Sequence, residues 1–350
     1  MKVCIVTVYD NINSGSFWQA YALGQAIKML GHEVYYYKRN KKGASPSIAI
    51  QLKKIIKLTS HLHFLEAYDY LRQIISFRIT PQKYTIIDKS SKIYGLIDCF
   101  ILGSDTIWNL NSEYYKNNKS IFWGDIFNGR RLVSYAGSIA NTKQETIIND
   151  EEYSNSIKRW SVISVRDEYT KNVLTRITDR QVHLVCDPTL LFKKDFYSNI
   201  CPQQTGNYIF LYLFKKLNHN QDLQLRAFAV KNKLKIICGT ERNISSQTNR
   251  FIINCPYNFM AYMLGAKYVI TDTYHGTIFS TNFNKQFVVI NRNLIKVRDF
   301  LSLIGLANRI IDRESDINIA MNQTINYDYA NQKLQELRCC SLNFLKYNIH

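Results

Sequence analysis

Acidic residues are scarce in this chain, with 27 Asp and Glu against 45 Lys and Arg over 350 residues, a formal net charge of +18. Such a field favours polyanions, anionic lipid surfaces or phosphorylated substrates as partners. Nucleic acid is the least expected of these. The sequence has no RNP-type aromatic motif, no zinc-finger spacing and no basic region running into heptads. Cysteine pairing motifs are also missing: the eight cysteines never form C-x-x-C. Four of them, Cys4, Cys99, Cys186 and Cys238, sit in or beside apolar strand-like runs. That excludes a disulfide framework or structural zinc site and leads us to expect a reducing cytoplasm and no metal. No apolar run reaches the length of a spanning helix, and the start MKVCIVTVYD lacks a small-residue cleavage site, so it reads as a first strand. G-x-G-x-x-G and G-x-x-x-x-G-K-[ST] are absent too, and with them any dinucleotide or P-loop assignment. Neither a solenoid-period repeat nor a low-complexity tract is present.

What remains is ordinary globular material: 46% apolar residues and 13% aromatic, including 24 Tyr. A chain of this length exceeds one hydrophobic core, so two domains are expected. Strand and helix signals alternate from the start. Val3–Val8 reads as a buried strand, followed by the polar loop DNINSGS, a helix over FWQAYALGQAIKML and a second strand EVYYY. LIDCFILGSD, RRLVSYAGS, WSVISVRD and VHLVCDP repeat the pattern, each strand ending in small or polar residues. In the second half YIFLYLF, LKIICGT, YVIT and QFVVIN are strands, with helices between them and another from Tyr327 to Leu345. The alternation predicts an α/β protein of two Rossmann-like doubly wound domains facing a cleft. The expected limits are 1–195, with a basic helical insertion at about 45–90 broken at Pro81, then 205–325, and a terminal helix over 326–350. The insertion is rich in lysine (YKRNKKG, then LKKIIK) and reads as a lid, a membrane-facing helix or a packed surface helix.

The segment Tyr268–Phe283, YVITDTYHGTIFSTNF, concentrates the chemistry. A β-branched strand stops at Asp272, a helical apolar pattern follows, and His275 stands between them directly before Gly276 and Thr277. A strand's carboxyl edge meeting a helix amino end is a natural anion site, and a group titrating near neutrality there suits proton transfer. The same placement also suits a helix cap with local hydrogen bonds.

Together, NINSGSFWQAYAL, FILGSDTIWN, SYAGS, ISVRDEYT, CDPTLL and VITDTYHGTIFSTNFNKQFVVI resemble the polysaccharide pyruvyl transferases, over nearly the whole chain. The resemblance implies a GT-B-like fold and transfer of a pyruvyl group from phosphoenolpyruvate to a sugar of a cell-surface polysaccharide or its lipid-linked precursor. The product is a cyclic ketal, and phosphoenolpyruvate serves as a substrate with no further cofactor. It implies His275 as acid–base residue and Arg166 as the group holding the donor's anionic oxygens. Asp105, Asp187 and Asp272 are candidates to orient the histidine or accept a hydroxyl proton. Ser104, Gly276, Thr277, Gln19 and Trp108 are candidates to line the substrate site. Characterised members of the family tend to carry Arg-Leu before the histidine, whereas this chain has Thr273–Tyr274, so a donor-binding cation is missing or comes from elsewhere, with Arg292, Lys296 and Arg298 nearby. A nucleotide-sugar glycosyltransferase and a non-catalytic basic binding protein on the same fold are the alternatives. The expected place is the cytoplasm, at the inner face of the plasma membrane if the basic segment contacts anionic lipid.

Overall fold

The computed structural model describes residues 1–9, 11–38, 48–79, 84–312 and 317–349. The basic run at 39–43 and the Pro81 break lie outside the described residues. The first half forms a parallel sheet from β1 (Lys2–Val6), β2 (Glu33–Tyr37), β3 (Ile86–Ile87), β4 (Cys99–Leu102) and β5 (Arg131–Ser134), in the order β3-β2-β1-β4-β5. Two parallel bridges, Val133 to Val162 and Gly137 to Val165, lead on to β6 (Ile163–Val165) and β7 (Val182–Leu184). The second half is a six-stranded parallel sheet of β8 (Tyr208–Tyr212), β9 (Lys235–Cys238), β10 (Arg250–Phe251), β11 (Tyr268–Thr271), β12 (Gln286–Ile290) and β13 (Ile310–Ile311). Its order is β10-β9-β8-β11-β12-β13.

Both orders reverse once, between β1 and β4 and between β8 and β11. Loops leave such a reversal in opposite directions and open a crevice at the strands' carboxyl ends. The near-continuous apolar runs of these strands follow from burial on both faces; Val3–Val6 and Ile209–Leu211 are all fully buried. One apolar cluster includes Val3 and Leu23 from the first half and Phe259, Phe279 and Phe287 from the second, so the two sheets share a core. The helix Asp328–Asn348 returns to the first half. There Ser341 Oγ accepts from Cys186 N–H and Arg338 Nε donates to the Leu190 carbonyl.

Local chemistry explains where the sequence expectation slipped. The first helix begins at Ser14, inside the expected polar loop, because the Asn13 side-chain oxygen accepts from the N–H groups of Gly15 and Ser16. The helix after β11 begins at Tyr274, so His275 lies in its first turn rather than ahead of it. Residues 48–79 form two helices, Ile48–Ser60 and Phe64–Ile79.

Candidate active site

The two reversals face each other. Loops after β1 and β4 bring Asn11, Asn13, Ser16 and Asp105, and those after β8, β11 and β12 bring Phe214, Asp272, His275, Arg292 and Lys296, around a cleft of ≈ 280 Å³. Ser14 Oγ donates to Asn254 Oδ1 across the halves at 2.8 Å, fixing the cleft floor.

His275 is held on three sides. Its Nε2 is sealed from solvent, has no hydrogen-bond partner among the described residues, and lies 3.9 Å from Asp187 Oδ2, beyond hydrogen-bond range. Its Nδ1 edge lies against Gly15, where a Cβ would overlap the ring. The Tyr274 ring meets it edge-on at 5.4 Å. Burial lowers the imidazole below its ordinary value, and the opposing pull of Asp187 and Asp105 does not restore it. The ring is therefore neutral at pH 7. A Gly15→Ala variant pushes the ring aside; we expect about a hundredfold loss of turnover together with a destabilisation of about 1–3 kcal/mol from the overlap, measured by steady-state kinetics beside a thermal scan.

Arg166 does not face the cleft, correcting the expectation that it holds the donor. Its side chain is fully buried; Nη1 reaches Asp187 Oδ2 at 2.7 Å and Nη2 reaches Asp105 Oδ1 at 3.4 Å. The guanidinium also lies over the Tyr274 ring at 4.5 Å. Paired with two carboxylates, with Nε left without a partner among the described residues and no exposed side-chain surface, the guanidinium presents nothing to the cleft. Arg166 is a positioning residue that ties the ends of β4, β6 and β7 together behind His275. Burial alone would raise the Asp105 carboxyl, but Arg166, His275, Lys296 and the Ser16 hydroxyl outweigh it and hold the carboxyl well below the ordinary range. Ser16 Oγ donates to Asp105 Oδ2 at 2.8 Å. Asp105 thus remains ionised beneath the site.

Asp272 lines the cleft, but its carboxylate is engaged elsewhere. It accepts from the N–H groups of Phe214 and Lys215 at 2.8 and 3.1 Å and faces Arg292 at 3.4 Å. It clasps two loops together. Five further residues expected at the substrate turn to internal partners. Trp108 is fully buried, stacks on Trp160 at 5.1 Å and donates its indole N–H to the Phe122 carbonyl, so it supports Gly137 from beneath and no sugar can reach it. Gln19 is fully buried and donates to the carbonyls of Val8 and Ser16, while its side-chain oxygen accepts from Ser104 Oγ. Gln19 and Ser104 therefore bind each other and shape the loops. Gly276 N–H is taken by Thr273 Oγ1, and Thr277 N–H by the Thr273 carbonyl. Gly276 is needed because a Cβ there would overlap Thr271 Oγ1. The helix-start donors without an acceptor among the described residues are the N–H groups of Tyr274 and His275.

The cations left to meet an anion are Arg292, 27% exposed at its side chain, and Lys296, whose Nζ lies 5.1 Å above Tyr274. Burial and the neighbouring Arg166 draw the Lys296 ammonium down to about 8. Arg298 points away from this cleft, into a smaller depression behind Asp272. Sequence reasoning missed Asn11, Asn13, Ser16 and Tyr274. Asn13, an Asn directly before Ser14 and just ahead of the helical pattern, carried a readable cap signal. Asn11 Oδ1 is buried with no partner among the described residues and gave no such signal.

Two parallel doubly wound sheets meeting at a charged cleft define a GT-B-type α/β enzyme. Solved structures with this architecture include UDP-GlcNAc 2-epimerase from Methanocaldococcus jannaschii, with TM-score 0.53, 11% identity, and 97% of this chain and 99% of that chain covered. Another is UDP-GlcNAc 2-epimerase from Neisseria meningitidis bound to UDP-GlcNAc (TM-score 0.52, 11% identity, coverage 100% and 98%). A third is UGT89C1 from Arabidopsis thaliana complexed with UDP-L-rhamnose (TM-score 0.50, 13% identity, coverage 98% and 94%). At such identities the likeness concerns the fold alone. No curated protein matches the chain. The polysaccharide pyruvyl transferase family model matches residues 13–293, and the chain belongs to that family. It is a transferase of polysaccharide modification.

Proposed function

We propose that the protein transfers the pyruvyl group of phosphoenolpyruvate to two hydroxyls of a saccharide. The observation that carries this reading is a neutral, half-sealed imidazole beside two cations, Arg292 and Lys296, and two unused helix-start N–H groups. Those four groups suit the carboxylate and phosphate of a small dianion. Because His275 starts neutral, it begins as a base. It takes the proton of the attacking hydroxyl and delivers it to C3, the methylene carbon, where the C2=C3 electron pair forms the new C–H bond while the hydroxyl oxygen bonds to the electron-poor C2 left behind. A second hydroxyl bonds to C2 as the C2–O bond to phosphate breaks, and its proton leaves with the phosphate. Asp187 and Asp105 stabilise the imidazolium that forms in between.

The acceptor saccharide enters from a neighbouring cavity of ≈ 350 Å³ that shares Phe214 with the cleft. Tyr70 and Phe251 supply rings, and Gln73, Asn243 and Asn254 supply amides, the mixture that matches a sugar's apolar faces and hydroxyl edges. The decisive experiment incubates purified protein with phosphoenolpyruvate and candidate glycans and follows phosphate release and ketal formation. Lys296→Met removes one charge-assisted contact worth about 2 kcal/mol, so KM for phosphoenolpyruvate rises about thirtyfold. An unchanged KM places the donor elsewhere. The likeness to structures bound to UDP-sugars favours a second reading, a nucleotide-sugar diphosphate in the same cleft. A melting temperature raised by a nucleotide sugar and not by phosphoenolpyruvate would replace the first reading with it.

A further inference from the structure

Helices Ile48–Ser60 and Phe64–Ile79 are joined by a three-residue turn and pack on each other beside the second sheet. Their inner side is settled: Ala67, Ile74 and Phe77 are buried, and Asp69 lines the saccharide cavity. Among the described residues nothing covers their outer side. Phe64, Tyr68, Leu71 and Ile75 are 43–59% exposed and recur at i, i+4, i+7 and i+11, which is one stripe along a helix. Leu52 and Ile56, one turn apart on the first helix, are 51% and 63% exposed. Eight of the 19 large hydrophobic residues exposed among the described residues fall between 52 and 75. A helix packed on one side ordinarily turns polar groups outward, and a contiguous apolar stripe marks a surface with a partner.

Charge decides which partner. Lys53, Lys57 and Arg72 are exposed beside the stripe, whereas the hairpin's two acidic residues, Glu66 and Asp69, line the cavity on its other side. Between Val34 and Leu65 the sequence holds seven Lys and Arg and no Asp or Glu. A second copy of this chain paired about a twofold axis would bring those cations against their own equivalents. We propose instead that the hairpin lies on an anionic lipid bilayer, its stripe in the headgroup boundary and its cations on the lipid phosphates. No helix among the described residues is long and apolar enough to cross a membrane, so the attachment is peripheral. This inference does not depend on the reaction proposed above.

Sedimentation of the full chain with vesicles tests it. We expect binding to phosphatidylcholine–phosphatidylglycerol vesicles of about 2:1 composition, falling steeply with salt, and far weaker binding to phosphatidylcholine alone. Phe64→Ser/Tyr68→Ser/Leu71→Ser should weaken binding at least about tenfold. Lys53→Gln and Lys57→Gln should cost about fivefold each. All three side chains of the triple variant are exposed, so its melting temperature should match the wild type's. Absence of binding to anionic vesicles, wild-type binding by the triple variant, or a dimer that the triple variant dissolves would each overturn the proposal. Turnover on a water-soluble acceptor, unchanged in these variants, keeps this result separate from the test of the reaction.

Discussion

His275→Ala should lower kcat by a factor of about 10²–10⁴, the range lost when a positioned acid–base group is removed. The same change should cost only about 1 kcal/mol of stability, because Nε2 has no hydrogen-bond partner to lose. A large kinetic effect beside a small thermal one is the signature of catalysis rather than capping. A drop in kcat of less than about tenfold would return His275 to the role of a local structural residue. The pH profile sharpens the test. Burial lowers the imidazole, so the protonated, inactive form accumulates only below its ordinary value of about 6.5, and the acid limb of kcat/KM should lie beneath that pH. Lys296 acts while charged, so activity should fall again as pH rises through about 8. Lys296→Arg, which stays charged, should extend the plateau past that point. A profile in which the arginine variant keeps the alkaline limb unmoved would remove Lys296 from the donor site.

Arg166→Met should destabilise the protein by about 3–5 kcal/mol, since it leaves Asp187 and Asp105 buried without their cation. In the native protein Asp105 has a depressed folded value, so its stabilisation is present above the unfolded value of about 3.9 and is lost only as pH falls below it. Without Arg166 the sign reverses. Burial, which raises the Asp105 carboxyl, then acts without its main opposing charge, and the folded state is favoured at low pH and penalised as pH rises. Urea unfolding of the two proteins at pH 5 and pH 8 should therefore show the larger deficit at pH 8. Arg166→Lys should not restore the native value, because one ammonium cannot span two carboxylates and the Tyr274 face. An equal deficit at both pH values would mean that the loss comes from packing and not from charge. Activity adds a second readout: an Arg166 that clamped the donor would raise KM, whereas one that positions Asp187 behind His275 lowers kcat.

Several of the expected site residues stand at the strand ends where they were expected, with side chains turned to internal partners. Strand-end reasoning correctly put Ser104, Asp105, Arg166, Asp187 and Asp272 at carboxyl edges, because alternation of β and α segments fixes where each strand stops. It could not say which way each side chain turns. Trp108 and Gln19 read as cleft residues because an aromatic and an amide suit a sugar. The structure gives every polar atom of theirs an internal partner and no exposed surface. Gly276 and Thr277 follow the histidine as the anion motif requires, yet Thr273 caps them one turn early and shifts the free donors to Tyr274 and His275. Arg292 and Lys296 were legible as nearby cations only. Their approach to His275 depends on the loop after β12 crossing the cleft mouth.

The sequence by itself determined the α/β alternation, the parallel sheets, the family and the histidine at a strand–helix junction, since periodicity and strand-end chemistry are local properties. It also carried the long acid-free basic segment at 34–65. Only the tertiary structure decided which charges cancel. Arg166 pairs with two carboxylates away from the cleft while Arg292, held on one side by Asp272, and Lys296 line it, and the hairpin turns its acids to the neighbouring cavity and exposes its apolar stripe. Pairing and exposure are set by residues tens to hundreds of positions apart, and a linear pattern holds no record of which of them meet.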